Sequence, residues 1–145
     1  MLLKSKSKLK TKHKKKSFVR IVEAIIKDSK GNILLLKRSG VNSIYVGKWQ
    51  LPGGKAWKGE SAKSAIKREV LEETNCKCSK VELLKSVVFT EKFNGTVSTV
   101  ELNIFSCAVK GCIVLSKDHT KYRFARSSKI MHNFLAPISK KALFD

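Results

Sequence analysis

Apolar runs and short turn-forming segments alternate early in the chain, a pattern typical of strands joined by tight connections. Residues 17–28 (SFVRIVEAIIKD) are rich in Val, Ile and Phe and predict a strand. Residues 29–32 (SKGN) predict a turn, and residues 33–38 (ILLLKR) predict a second strand. A short apolar piece at residues 49–51 then meets Pro52-Gly53-Gly54, where we expect the chain to turn sharply.

The later part of the chain contains a long hairpin. Residues 77–93 and 96–109 predict two strands joined at Asn94-Gly95, the strongest short hairpin signal. Two shorter elements follow, a strand at residues 122–125 and a helix at residues 137–144. Because strands lie on both sides of a helical segment described next, the pattern predicts a mixed α/β domain.

That helical segment is residues 61–74 (SAKSAIKREVLEET), which contain neither Gly nor Pro and begin with a suitable N-cap, Ser61. A 100° repeat places the buried stripe at Ala62, Ala65 and Ile66. Glu69 and Glu73 occupy the positions where that stripe should continue, and Glu72 lies just beside them. An acidic face that is merely solvated would point away from the apolar stripe. The position of these acids on the face expected to be buried therefore requires a chemical explanation.

Carboxylates at i, i+3 and i+4 of a helix lie close together and repel each other when they are unpaired. A hard divalent cation, Mg²⁺ or Mn²⁺, removes this repulsion because it binds carboxylate oxygens and keeps positions open for water and phosphate. The alternative is a surface helix whose glutamates pair with Arg68, Lys67 and Lys77. The helix alone leaves both interpretations open.

The composition adds an electrostatic constraint. The 145 residues, 42% of them hydrophobic, predict one globular domain and exclude a wholly disordered chain. Lys and Arg total 31 against 11 Asp and Glu, and the formal charge of +20 favours an anionic partner such as a nucleotide or nucleic acid. No apolar stretch approaches the roughly 20 residues of a bilayer span, so an integral membrane protein is not expected.

Much of the positive charge precedes the first predicted strand. Residues 1–16 hold eight lysines and no acid, which leaves +12 on residues 17–145. We expect residues 1–16 to be a flexible basic tail and residues 17–145 to be the domain, because the tail has too few apolar side chains to offset its ordering entropy. Without the apolar core of a secretory signal, a cytoplasmic location is expected. The tail could serve as a nuclear or organellar address or an RNA tether, or be a plain solvated extension.

Four cysteines, Cys76, Cys78, Cys107 and Cys112, have the spacings C-x-C and C-x4-C. These spacings do not match a standard zinc knuckle, and a chain without a secretory signal is not expected to form disulfides. We therefore expect buried free thiols, with structural zinc or a disulfide as the less favoured alternatives.

The segment before the helix strengthens the metal interpretation. Residues 53–60 (GGKAWKGE) predict a glycine-bounded loop whose backbone can approach a metal or phosphate, and residues 54–73 give the pattern G-x5-E-x7-R-E-x-x-E-E. This pattern resembles the Nudix box, the signature of the Nudix (MutT-type) hydrolases. The family pattern is met at Gly54, Glu60, Arg68, Glu69, Val70, Glu72 and Glu73. Two positions depart from it. Asn75 replaces a glycine that would end the helix in the left-handed conformation, for which Asn is the next best residue, and Cys76 replaces an aliphatic residue.

The resemblance extends over residues 17–145. The approach to the box (residues 47–54, GKWQLPGG) and the later segment Asp118-His119-x-x-Tyr122-Arg123-Phe124 are also similar to family patterns. The resemblance implies an α/β/α sandwich around a mixed sheet, in agreement with the fold class predicted above. It also implies hydrolysis of a nucleoside diphosphate linked to another group, with Mg²⁺ or Mn²⁺ as the cofactor.

The resemblance implies a role for each matching residue. The metal ligands would be Glu69, Glu72, Glu73 and the Gly54 carbonyl, with Glu69 also the base that activates water. Arg68 and Glu60 would orient the catalytic carboxylates. Arg38 resembles a family position that holds substrate phosphate, and its alternative is a strand-end arginine in solvent.

Five further residues are weaker candidates. Trp49, together with Tyr45 and Phe89, could stack on a substrate base, with packing in the core as the alternative. Asp118 could supply another metal ligand, and His119 could be a base or a solvated loop residue.

Within the family we favour a nucleoside triphosphate pyrophosphohydrolase, which releases a nucleoside monophosphate and pyrophosphate. One alternative is an enzyme of RNA 5′ ends, where the basic tail would hold the RNA backbone. A hydrolase of ADP-ribose or dinucleoside polyphosphates is another. A non-catalytic RNA-binding Nudix module is disfavoured, because a binding module does not need the three helix carboxylates.

Overall fold

The structure is a computed structural model that describes residues 17–40, 45–93, 95–126 and 135–144. The predicted basic tail over residues 1–16 lies outside the described residues, and so does Asn94 of the predicted hairpin turn. Neither described helix has the length and apolar character that crossing a membrane requires.

The described part of the chain forms seven strands and two helices. In chain order they are β1 Ser17–Ile25, β2 Ile33–Arg38, β3 Trp49–Gln50, β4 Gly53–Lys55, α1 Ala62–Thr74, β5 Lys77–Phe93, β6 Thr96–Lys110, β7 His119–Ala125 and α2 Pro137–Phe144. The predicted bounds of β2 and α2 are confirmed, and the hairpin strands β5 and β6 differ by one residue at most. β7 begins three residues before the predicted strand, and β1 ends three residues before its predicted end.

The strands form two sheets. One has the order β4-β1-β6-β5, in which β1 and β6 are parallel and the other neighbours antiparallel; the other is antiparallel, with the order β3-β2-β7. Helix α1 packs on β1, β4 and β5, while α2 contributes Ile138 and Ala142 to a core cluster with Val100 and Leu102 of β6. The predicted α/β/α arrangement is confirmed, although two sheets stand where one mixed sheet was expected.

Both ends of helix α1 are capped by residues suited to these positions. The Ser61 hydroxyl accepts a hydrogen bond from the Ser64 backbone N–H at 3.1 Å, which makes Ser61 the N-cap. Asn75 adopts the left-handed conformation with φ 61°, and its backbone N–H donates to the Leu71 carbonyl at 2.9 Å. Asn75 therefore ends the helix as a glycine would, as expected from the sequence.

The buried face of α1 includes carboxylate-bearing positions, as the sequence pattern predicted. The buried residues of the helix are Ala65, Ile66, Val70, Glu73 and Thr74. Ala62, expected in the buried stripe, is only partly buried and packs at the edge of the main core cluster. The buried stripe of α1 therefore runs from Ala65 to Glu73. This places the Glu73 carboxylate beside β4, the edge strand of the first sheet.

The strand β4 was not predicted, since residues 53–60 were expected to form a loop. In the structure Gly53 and Gly54 pair antiparallel with Glu23 and Val22 of β1. A Cβ on Gly53 would collide with the Val22 carbonyl oxygen, and a Cβ on Gly54 would lie 2.6 Å from Glu69 Oε1. Glycine is disfavoured in strands by intrinsic propensity, so the close packing around these two residues decides the outcome.

The four cysteines are free thiols. Cys76 and Cys107 are buried and Cys78 is partly buried, but Cys112 is exposed, so the expectation of burial is wrong for Cys112. Cys112 follows Gly111 just beyond the end of β6, where the chain has left the sheet.

We expect Asn75→Ala to lower the free energy of unfolding by about 1 kcal/mol, because a left-handed conformation costs most residues roughly 1–2 kcal/mol. Asn75→Gly is the matched control and should be at least as stable as the original protein, since glycine adopts this conformation without strain. Urea unfolding followed by circular dichroism measures both variants. Equal stability of the alanine and glycine variants would contradict this account of the helix end.

Candidate active site

The two glycines of β4 bring two carboxylates of α1 against the backbone. The Gly53 N–H donates to Glu73 Oε1 at 2.8 Å. Both carboxylate oxygens of Glu69 lie so close to Gly54 that an added Cβ would be 2.6 and 2.9 Å from them. The absence of side chains at these two positions therefore allows α1 to approach β4 with its acids facing the strand.

Arg68 holds three acids through hydrogen bonds. Its Nε and Nη2 donate to the two carboxylate oxygens of Glu60 at 2.9 and 3.1 Å, and its Nη1 donates to Glu69 Oε1 at 3.0 Å and Glu72 Oε2 at 3.2 Å. The hydrogen bonds from Arg68 lower the pKa of Glu60. The Arg68 guanidinium also stacks 3.9 Å from the centre of the Trp57 ring. The geometry places Arg68 and Glu60 where they fix the Glu69 side chain.

The three helix carboxylates differ in exposure. The side chains of Glu69 and Glu73 are 14% and 8% exposed, whereas that of Glu72 is 52% exposed. Burial raises the pKa of Glu69 against the opposing effect of Arg68. Burial and the nearby charges of Glu69 and Glu23 raise the pKa of Glu73 well above its ordinary value, although the Gly53 N–H opposes this. Glu69 and Glu73 therefore form an acidic pair that a nearby cation would stabilise in its charged form.

A buried polar chain leads from Glu73 to Arg38. Arg38 Nη1 donates to Gln50 Oε1 at 2.8 Å, and Gln50 Nε2 lies 2.7 Å from His119 Nε2. The Gln50 amide therefore donates to His119 Nε2, which lies 3.3 Å from Glu73 Oε2. Burial, and secondly Arg38, lower the pKa of His119 to about 4, so the imidazole is neutral at pH 7.

A cavity of about 140 Å³ opens beside Gly53 and Gly54. Arg38 and Tyr45 line it, and so does Glu23 on β1. The buried Glu23 carboxyl accepts hydrogen bonds from the Ser139 hydroxyl at 3.0 and 3.2 Å, and burial raises its pKa to about 8. Arg38 is partly buried in this arrangement, and its predicted role in holding substrate phosphate stays a prediction.

Three sequence candidates lie elsewhere. Trp49 is not among the residues that line this cavity; its ring has Arg123 at 5.4 Å and Lys37 at 5.9 Å. Phe89 packs in the core cluster beneath α2, with Lys141 Nζ 4.5 Å from its ring centre. Asp118 is exposed, and its backbone carbonyl accepts a hydrogen bond from the Ser39 N–H.

His119 was expected to be either a base or a solvated loop residue. The expectation that it is solvated is wrong, because strand β7 begins at His119 and the ring is buried.

Sequence reasoning missed Glu23, Gln50 and Ser139. Glu23 carried a usable signal, since it is the only acid among the apolar residues of the first predicted strand before Asp28. Gln50 and Ser139 are polar residues in ordinary contexts, and only the packing of β3 and α2 shows that both are buried.

The donor set fits a hard divalent cation. The Glu69 and Glu73 carboxylates and the Gly54 backbone offer oxygen donors in a region of unfavourable negative charge, which is the chemistry that Mg²⁺ and Mn²⁺ prefer. Within residues 17–40, 45–93, 95–126 and 135–144, no three His, Cys, Asp or Glu side chains are grouped as a metal site. The assignments of Glu69, Glu72, Glu73 and the Gly54 carbonyl as metal ligands therefore stay predictions.

Comparisons with known proteins agree with the fold. Residues 17–141 match the NUDIX domain family. The MutT protein from Methanosarcina mazei Go1 is 29% identical over 89% of this chain and 92% of its own, with a TM-score of 0.74. The MutT NUDIX hydrolase from Burkholderia pseudomallei is 25% identical over 88% of this chain and 97% of its own, with a TM-score of 0.72. No protein of curated function matches the sequence significantly.

The acidic helix packed on β4 agrees with the resemblance of residues 54–73 to the Nudix box. The chain belongs to the NUDIX domain family, as its match over residues 17–141 shows. It is therefore an enzyme that acts on pyrophosphate bonds, in a family that generally uses a divalent metal.

The buried carboxyls predict how stability depends on pH. With a pKa of about 8 when folded and 4.5 ordinarily, Glu23 binds more protons in the folded protein between these values, so stability falls as pH rises towards 8. Glu73 acts in the same direction. His119 acts in the opposite direction, but only up to about pH 7.5, because above that pH the imidazole is almost wholly neutral in both states. From pH 6.5 to 8 we expect the urea midpoint to fall, and to fall less in Glu23→Gln.

The control for this experiment is Glu82→Gln, because Glu82 is exposed and its replacement should leave the pH dependence unchanged. A chelator is present throughout, so that metal binding to the acids does not contribute to the midpoint. The account of Glu23 fails if Glu23→Gln loses as much stability as the original protein over this range.

Proposed function

We propose that the protein is a Mg²⁺-dependent nucleoside triphosphate pyrophosphohydrolase that releases a nucleoside monophosphate and pyrophosphate. The observation that carries the proposal is the position of Glu69 and Glu73 against the Gly53 and Gly54 backbone. The cavity that contains Arg38 adjoins the same glycines, so a cationic side chain and the acidic pair share one region.

The proposed ligands of the cation are Glu69, Glu72, Glu73 and the Gly54 carbonyl oxygen. All four supply oxygen, the donor type that Mg²⁺ selects over softer metals. When bound, the cation neutralises pyrophosphate charge and lowers the pKa of a water molecule. The proximity of Glu69 and Glu73, with burial raising both pKa values, supports this set because the cation offsets their repulsion.

Glu69 is the proposed base. It accepts the proton of the attacking water while the water oxygen bonds to phosphorus and the bond to the pyrophosphate leaving group breaks. Burial raises the pKa of Glu69, which makes it a better proton acceptor at neutral pH than an ordinary glutamate. Arg68 and Glu60 are proposed as positioning residues, since Arg68 holds Glu69 Oε1 and is itself held by both oxygens of Glu60.

The cavity lined by Arg38 and Tyr45 is the proposed place of the nucleotide. The guanidinium of Arg38 suits a phosphate, and Tyr45 offers a ring to the base or sugar. Trp49 does not line this cavity, and its predicted stacking on a substrate base stays a prediction.

Substitution of the acidic pair tests the mechanism. We expect Glu69→Gln and Glu73→Gln each to lower kcat for nucleoside triphosphates by about 10²–10⁴-fold in Mg²⁺, the range for loss of an acid–base group. Folding should survive because glutamine has the shape of glutamate and can still accept from the Gly53 N–H. Glu82→Gln is the matched control on an exposed glutamate. Unchanged turnover in both active-site variants would refute the assigned roles.

An RNA 5′-end hydrolase is the second candidate, and the eight lysines of residues 1–16 are the feature that favours it. The same acids would then act on the triphosphate of an RNA end, with the lysines contacting the RNA backbone. Removal of residues 1–16 should in that case weaken RNA binding and flatten its salt dependence.

A substrate comparison separates the two candidates. We expect kcat/KM in Mg²⁺ to be highest for a free nucleoside triphosphate, with pyrophosphate and nucleoside monophosphate as products in equal amounts. The comparison includes triphosphorylated RNA, capped RNA, ADP-ribose and a dinucleoside tetraphosphate, and it follows products by ion-exchange chromatography. Higher kcat/KM on an RNA end would replace the first proposal with the second.

A further inference from the structure

A second cavity, of about 530 Å³, lies between β1 and the segment that follows β4. Its lining consists of Phe18, Val19 and Arg20 from β1 and residues 55–59 (KAWKG). None of these lining residues is acidic, while Arg20, Lys55 and Lys58 are cationic. Its two aromatic residues, Phe18 and Trp57, have no role in the proposed catalytic mechanism.

Two aromatic side chains of the cavity are open to solvent. Trp57 is 63% exposed and Phe18 is 59% exposed, the highest values among the exposed aromatic residues of the described chain. Large apolar rings left in water contribute little to folding stability, and together they mark a surface suited to a ligand.

Trp57 is held in place before any ligand binds. Its backbone N–H donates to Glu60 Oε2 at 2.9 Å, and the Arg68 guanidinium stacks on its ring at 3.9 Å. Stacking of Arg68 occupies one ring face, so the exposed part of Trp57 offers the other. A planar ligand could stack there without reorganising the loop.

The cavity lies where β4 no longer covers β1. The pairing of β4 with β1 is confined to Ile21, Val22 and Glu23, and the Ala56 N–H then donates to the Arg20 carbonyl at 2.9 Å. Beyond that bond, the β4-side edge of β1 faces the cavity, while its other edge still pairs with β6, where Phe18 lies opposite Thr99. Residues 1–16, with their eight lysines, directly precede this end of β1 in the sequence.

We propose that this cavity binds single-stranded nucleic acid, with bases stacked on Trp57 and Phe18 and phosphates contacting Lys55 and Lys58. Stacking on aromatic rings combined with a cationic lining is the chemistry by which proteins bind single strands without reading sequence. Arg20 forms an ion pair with Glu101 at 2.9 Å and lies 6.0 Å from the Phe18 ring centre, so it orders the edge of the site. The proposal is independent of which nucleotide the active site hydrolyses.

Single-stranded nucleic acid fits better than two other anionic ligands. An acidic peptide would use the lysines but would leave both aromatic rings without planar partners. A free nucleotide has one base, whereas the cavity presents two exposed rings and a volume nearly four times that of the active-site cavity.

The test measures binding of a short labelled RNA of mixed sequence to the full chain by fluorescence anisotropy, with single-stranded DNA and a DNA duplex alongside. We expect Phe18→Leu to weaken single-strand binding about tenfold, because stacking is lost while the apolar volume is nearly kept. Phe18→Tyr keeps the ring and should bind as the original protein does. Trp57 is left unchanged because its loss would also disturb Arg68.

Charge reversal supplies the second arm of the test. Lys58→Glu should weaken binding more than Lys63→Glu, which makes the same change at an exposed position of α1. Lys58→Glu should also reduce the slope of log K against log salt concentration by about 1 or more. Hydrolysis of nucleoside triphosphates should be unchanged in all four variants, so failure of this proposal is distinct from failure of the proposed function.

Three results would overturn the proposal. One is equal affinity of Phe18→Leu and Phe18→Tyr, which would exclude stacking on this ring. Another is equal weakening by Lys58→Glu and Lys63→Glu, which would indicate binding through general charge, including the lysines of residues 1–16. The third is duplex binding as tight as single-strand binding, since paired bases cannot stack on these side chains.

Discussion

The contact between two carboxylates of α1 and two glycines of β4 is the constraint on which the site depends. Glu73 accepts from the Gly53 N–H, and Glu69 lies against Gly54 where any side chain would collide with it. Burying two acids next to each other is unfavourable unless hydrogen bonds or a cation offset the cost. The close approach of Glu69 and Glu73 therefore lowers the stability of the fold locally. A divalent metal would offset this cost, which makes the site suited to pyrophosphate chemistry.

Arg68 connects this acidic pair to the rest of the molecule. It holds Glu60, Glu69 and Glu72 through its three nitrogens and stacks on Trp57 with its plane. A lysine could not make these contacts together, because they require a flat group with donors in fixed directions. Since Trp57 lines the second cavity, the Arg68 guanidinium contacts both the carboxylates of the candidate active site and the proposed nucleic-acid site.

Elements set by local interactions could be predicted from the sequence. The apolar runs of β2, the hairpin strands and α2 were located to within a residue, and Asn75 was correctly expected to end α1 in the left-handed conformation. β4 could not be predicted in this way, because glycine has no side-chain preference for a strand. Its pairing with β1 results from contacts between residues about thirty positions apart in the chain.

The candidate site, too, could be predicted from the sequence only in part. The spacing from Gly54 to Glu73 was enough to predict the acidic helix, the Nudix family and the donor atoms for a metal, since these depend on helical geometry and residue type. The burial of His119, the carboxyl of Glu23 in the cavity and the chain from Arg38 through Gln50 required the structure.

The sequence by itself thus determined which helix carries the candidate site and which class of bond the enzyme acts on. Only the tertiary structure decided how exposed each acid is, which aromatic rings are free to meet a ligand, and where the cavities lie. The physical reason is that pKa values and exposure depend on desolvation by residues from distant parts of the chain. No local pattern of residues contains that information.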